Sequence, residues 1–162
     1  MTSTVTAATM TVTITESISL NGVDYGGTNT LTIASVNEIS KRIVTTTNTE
    51  AIILAFGTVI AAGQFDETKV MYIRITNLDD TNEVVLTFKN ENDDEFAVLL
   101  DKGQSFIYNG NTDDTNKGLI NTMDAIDGAG LSVSLGDLVN ITADVPGSSG
   151  ETADLELLVA CL

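Results

Sequence analysis

The chain has 162 residues, 43% of them hydrophobic, with 23 acidic against 7 basic residues and a formal net charge of −16. That length suits one domain with a real core, and the hydrophobic share argues against disorder. The charge disfavours direct nucleic-acid binding and polybasic membrane docking; the absence of histidine and tryptophan removes Ser-His-Asp and Cys-His catalysis, histidine metal sites and tryptophan-lined sugar sites.

Residues 1–9 lack a basic region and a long apolar run, so they read as an N-terminal arm rather than a secretory signal. Thr11–Leu20 alternates, with Glu16 the one exception: Val12, Ile14, Ile18 and Leu20 share one parity, while Thr11, Thr13, Thr15, Ser17 and Ser19 share the other. A period of two assigns each set to one face of a β-strand, where the branched threonine packs well. Asn21-Gly22 is a turn signal, since both residues tolerate positive φ. Thr30–Ile39 begins as a strand with Leu31 and Ile33 on one face; parity then slips to Val36, which points to a bulge or bend. Arg42–Thr47 is a second short run. Ile52, Ile53, Leu54 and Phe56 make the next run apolar on both faces. This predicts a central strand, or a surface completed by another subunit, with a short helix as the other option.

Gly57–Lys69 reads as a connection. Val70–Thr76 places Met71, Ile73 and Ile75 on one face and Val70, Tyr72 and Arg74 on the other. Together with Glu83–Lys89, Glu95–Leu100 and Gln104–Tyr108 it forms an expected four-stranded meander over residues 70–108, joined by short polar turns. Residues 109–130 are polar, glycine-dotted and weakly periodic. They form a long loop or arm, with a short amphipathic helix around Leu119–Ile126 as one option. Leu131–Leu135 and Leu138–Ala143 are expected strands around a Gly136-Asp137 turn, and Thr152–Cys161 closes the chain. The sum predicts an all-β chain, residues 1–162 forming a single-domain β-sandwich or jelly-roll-like fold of eight to ten strands with little or no helix.

No catalytic constellation, metal site or cofactor site emerges from the motifs. There is no phosphate-binding glycine loop and no Gly-x-Ser-x-Gly elbow. Asp79/Asp80, Asp93/Asp94/Glu95 and Asp113/Asp114 fall in turns, where acids ordinarily cap backbone donors. Asn90, Asn92 and Asp94 have the oxygen spacing that starts a calcium-binding EF-hand loop. Glu95 occupies the position that needs glycine, and Phe96, Val98 and Leu100 read as strand, so that motif is rejected; a looser calcium site between adjacent turns stays open. Cys161, the single cysteine, permits no intrachain disulfide and reads as a small apolar residue. Lys41-Arg42 reads as charge protecting a strand edge, or as a contact to an acidic neighbouring subunit. The candidate subunit interface comprises Ile52, Ile53, Leu54 and Phe56 together with Leu119, Ile120, Met123 and Ile126.

Thr28–Ser35, Lys41–Thr46 and Gly63–Asp66 precede the stretch Tyr72-Ile-Arg-Ile-Thr-Asn-Leu-Asp-Asp-Thr-Asn82, followed by Leu86–Asn90, Glu95–Val98 and Asp101–Phe106. From about residue 10 to the C-terminus these segments resemble small virion structural proteins of marine tailed phages, cyanophages in particular. The resemblance implies a β-rich, non-enzymatic building block present in many copies. The expectation is a capsid decoration or cement protein on the outer capsid surface. Its partners would be other virion proteins, the major capsid protein first, and further copies of itself. It would assemble in the bacterial host cytoplasm, which suits the absence of disulfides. A tail, adaptor or fibre component is the alternative, then a calcium-dependent adhesin or carbohydrate-binding module; an enzyme comes last.

Overall fold

A computed structural model describes residues 4–58, 61–109, 121–123 and 136–162. Every regular element among them is a strand: β1 (Ala8–Glu16), β2 (Ser19–Leu20), β3 (Val23–Asp24), β4 (Gly27–Val36), β5 (Glu38–Thr47), β6 (Ala51–Gly57), β7 (Gln64–Asp66), β8 (Val70–Asn77), β9 (Val84–Asn90), β10 (Glu95–Leu100), β11 (Ser105–Asn109), β12 (Asn121–Met123), β13 (Gly136–Asp144) and β14 (Thr152–Cys161). The expected all-β class holds, with more strands than the eight to ten read from the sequence. β12 pairs with β13 through Asn121 and Met123, so residues 121–123 are strand rather than part of the helix that was one option around Leu119–Ile126. Gly136-Asp137 lies within β13 rather than in a turn. Leu131–Leu135 and most of 109–130 fall outside the described residues.

Two sheets face each other. One runs β10-β9-β13-β6-β7, with β12 added on β13; the other runs β11-β8-β14-β5. Between them lies the main core, with Phe56, Ile73, Leu86, Phe88, Ile141 and Leu155 among its buried side chains. At roughly 1.5–3 kcal/mol per large apolar side chain removed from water, this layer is the main favourable contribution to folding. A third layer lies outside the four-stranded sheet. It is the antiparallel ribbon β1–β4, whose Met10, Val12, Leu31, Ile33 and Val36 pack on Met71, Tyr72, Leu158 and Ala160.

The expected meander over residues 70–108 is corrected. Its strands exist, but β8 pairs with β11 in one sheet and β9 with β10 in the other. The turns after β8 and after β10 are therefore arches that cross from sheet to sheet, whereas the β9–β10 turn is a hairpin as expected. Asn77 holds the two arches together. Its side chain is fully buried. The amide nitrogen donates to the carbonyls of Asn82 (2.9 Å) and Leu100 (3.3 Å), and the amide oxygen accepts from the backbone N–H of Asp79 (3.0 Å). Its backbone N–H donates to the Gln104 carbonyl, and its own carbonyl accepts from Gly103 N–H. A buried amide with all of these partners is satisfied, whereas leaving the same backbone groups unpaired in the core is costly.

One-residue bulges explain where strict alternation misassigned faces. Met71 is the extra residue between the pairs Ala160↔Tyr72 and Cys161↔Val70. Val70 therefore joins Ile73 and Ile75 in the main core, while Met71 turns with Tyr72 toward the ribbon. This reverses the faces expected for Val70 and Met71. In β6, Ile53 is the extra residue between Ile141↔Leu54 and Thr142↔Ile52. The parity slip expected near Val36 is also a bulge, with Ala34 and Ser35 opposing the single residue between Ala8 and Met10; Ser35 takes φ 61°.

Replacing Asn77 with alanine should lower unfolding stability by about 2–4 kcal/mol, because buried carbonyls and an N–H lose their partners. Urea titration followed by circular dichroism measures this; a loss under about 0.5 kcal/mol, the scale of an ordinary surface substitution, would show that the arches do not depend on the amide.

Candidate functional site

The residues singled out in the sequence do not converge on a cleft. Ile53, Leu54 and Phe56 are buried in the chain's own core, and among the described part of that group only Ile52 is surface, 63% exposed. The bulge explains both results: it turns Ile53 inward beside Leu54 and so rotates Ile52 outward. The freed Ile53 carbonyl accepts from the Arg42 guanidinium. Leu119, Ile120 and Ile126 lie outside the described residues; Met123 is described only as the end of β12.

Four of the basic residues are paired with acids of the same chain. Lys41 meets Glu156 at 3.0 Å, and Arg74 reaches the same carboxylate from the neighbouring strand. Lys69 pairs with Asp66 at 3.2 Å, and Lys89 lies between Glu50 (3.2 Å) and Glu95 (3.4 Å). Lys41-Arg42 thus sits on β5, an edge of its sheet, with partners already in place in its own chain. The more exposed of these pairs, such as Lys89 with Glu50 and Glu95, contribute little to stability individually. Their larger consequence is electrostatic, since they leave the acidic excess as the charge presented to the surroundings.

The acidic turns are built as caps. Asp79 accepts from the N–H groups of Thr81 (2.8 Å) and Asn82 (2.7 Å), which hold its carboxyl below the ordinary value of 3.8. The Asn90 side-chain oxygen accepts from Asn92 N–H (2.9 Å) and Asp94 N–H (2.8 Å), so in this turn it serves the backbone. Among the described residues no three histidine, cysteine, aspartate or glutamate side chains are grouped to hold a metal ion. Cys161 is buried, and burial with the nearby Glu38 and Asp66 charges pushes its thiol up to about 12. That thiol is a packing residue, not a nucleophile, at neutral pH.

What the surface does offer is the ribbon. In residues 4–37 only Glu16 and Asp24 are charged. Its outer face carries the cross-strand pairs Thr11↔Thr32, Thr13↔Thr30 and Thr15↔Thr28, all exposed. Beyond Glu16 the ribbon continues as the small hairpin β2–β3. Asn21 (φ 52°) and Gly22 (φ 79°) form its two-residue turn. Gly26 lets the chain pass Glu16, because a Cβ there would lie 2.6 Å from the Glu16 carbonyl oxygen. Ile18, Leu20, Val23 and Tyr25 at this tip are more than half exposed. The Asn21-Gly22 turn was legible in the sequence; the exposure of the ribbon was not, because alternation alone does not say whether the apolar face is covered along its whole length. Among the described residues no helix is long and apolar enough to cross a membrane.

Comparison with protein-family models, with curated proteins and with solved structures finds no match to this chain.

The carboxyl shifts define a pH profile. Glu50, Asp66, Asp79 and Glu156 sit below their ordinary values, mainly through hydrogen bonds from Thr142, Thr68, the Asn82 backbone and Lys41 respectively. Their stabilising contribution is complete above the ordinary values of 4.5 for Glu and 3.8 for Asp, and is lost as pH falls below those values through the lowered ones. Burial, then like charges, raises Glu67 and Asp144. Their ionisation opposes folding, and acidification through the raised values relieves it. The melting temperature should therefore rise on mild acidification from pH 7 and fall below about pH 4. Differential scanning calorimetry across this range checks it, and a monotonic fall from pH 7 downward would contradict it.

Proposed function

We propose that this chain is a non-enzymatic structural protein of a phage virion, a capsid decoration protein seated on the outer face of the major capsid lattice. The observation that carries the reading is the charge arrangement. Lys41, Lys69, Arg74 and Lys89 are each paired with an acid of the same chain, so a −16 molecule presents its acidic excess outward. Such a surface is repelled by packaged DNA and suits the outside of a shell rather than its lumen. The likeness of the Tyr72–Asn82 and Asp101–Phe106 segments to marine phage virion proteins supports the same reading. Those segments build the Asn77 arches, so the residues that carry the resemblance serve folding rather than chemistry.

Quantitative mass spectrometry of purified particles tests this. A decoration protein is present in hundreds of copies and is labelled by antibody on the outside of intact heads. A handful of copies would assign the chain to an adaptor or fibre instead, and absence from particles would overturn the virion reading. Within that reading no single acid is an active-site group. Replacing Asp93 with glycine should leave incorporation unchanged and stability equal or slightly higher, because its φ of 64° is one that glycine adopts at no steric cost.

A further inference from the structure

We infer that the open edge of β1 is a self-association site, at which a second copy of this chain adds its own β1 antiparallel to extend the ribbon into a four-stranded β4-β1-β1-β4 layer. A two-stranded ribbon is an incomplete sheet, and among the described residues β1 pairs only with β4. Natural edge strands are blunted by lysine, proline or inward charge. β5 has that protection in Lys41 and Arg42, whereas β1 from Ala8 to Thr15 has no charge and no proline. Main-chain pairing at such an edge is a recognised mode of association.

The occupant follows from charge and from register. Two copies of a −16 chain repel wherever acids face each other, and the ribbon is the exposed layer where they do not. Pairing about a two-fold axis through Val12 sets Met10 of one copy opposite Ile14 of the other and Thr11 opposite Thr13. It thereby keeps apolar residues on the sandwich side and threonines outside. The same register carries the Ser17–Leu20 stretch of one copy alongside Thr4–Ala7 of the other. Beside Thr4–Ala7 is an open groove of 360 Å³ whose lining is apolar at Val5, Ala8, Met10, Val36 and Ile39 and uncharged polar elsewhere. Val5 and Ile39 are more than 60% exposed there, as Tyr25 is at the tip. One two-fold operation thus sets Ile18 and Leu20 of each copy beside the Val5 groove of the other, twice, as an isologous interface requires. This inference stands on the ribbon and not on the virion reading.

Sedimentation velocity of the full chain over a concentration series tests it. The wild type should be a dimer, and the Thr11→Lys/Thr13→Lys variant should weaken association at least 100-fold, because like charges then face each other across the new pair. Circular dichroism at a dilution where both are monomeric should be unchanged. As a second measurement, Thr11→Cys/Thr13→Cys should give a covalent dimer on mild oxidation. A wild type that is monomeric at all concentrations overturns the inference. So does a dimer that survives the lysine pair, or amide exchange in the monomer showing β1 already paired with residues 110–135. A monomer found in particles in hundreds of copies would remove this interface and leave the virion reading standing; a dimer absent from particles would do the reverse.

Discussion

The buried amide of Asn77 is the interaction on which the layering depends. Two sheets packed face to face need strands that cross between them, and each crossing leaves backbone groups turned away from any ladder. Here both crossings of the β8–β11 segment occur at one end of the sandwich, and one side chain serves both. Next to it the Leu78 N–H donates to the Asp154 carbonyl, and the Asn82 amide donates to the Thr152 carbonyl. The arches are thereby fastened to the start of β14 as well. Once β14 is placed, its inner residues complete the main core while Leu158 and Ala160 supply the floor for the ribbon.

That dependence separates two surfaces with different chemistry. The sandwich carries nearly all the charge, with Lys41, Lys69, Arg74 and Lys89 bound to acids of the same chain. The ribbon carries almost none and is held by one apolar face on Met71, Tyr72, Leu158 and Ala160. Past Ile14 that support ends, and the tip extends with its apolar side chains in water. Exposed apolar residues grouped in this way mark a surface made for contact, whereas isolated ones do not.

Much of the fold was legible because period-two alternation is a direct image of a half-buried strand. Val84, Leu86 and Phe88, read as one face of β9, are all buried, and Leu155, Leu157, Val159 and Cys161 are in register as expected. Two things were not legible. A single extra residue at Ile53 or Met71 flips the facing of its neighbours without changing the local composition, so an apparently two-faced strand was a bulged one. Arches and hairpins also use the same polar turn residues; what distinguishes them is the partner of each flanking strand, a long-range property. The candidate interface suffered from the first of these, since Ile53, Leu54 and Phe56 are consumed in the core. The ribbon was not legible because its uncharged run is informative only once β1 is seen to pair, among the described residues, with β4 alone.

Amide hydrogen exchange on the native protein tests the central claim most directly. If the Asn77 amide couples the arches to the core, the N–H groups of Asn77, Leu78, Asp79 and Gly103 exchange in the slowest class, together with the central strands β8 and β14, by global unfolding. Exchange of these four in the fast class, while β8 and β14 stay protected, would show that the arches open independently and would contradict the account.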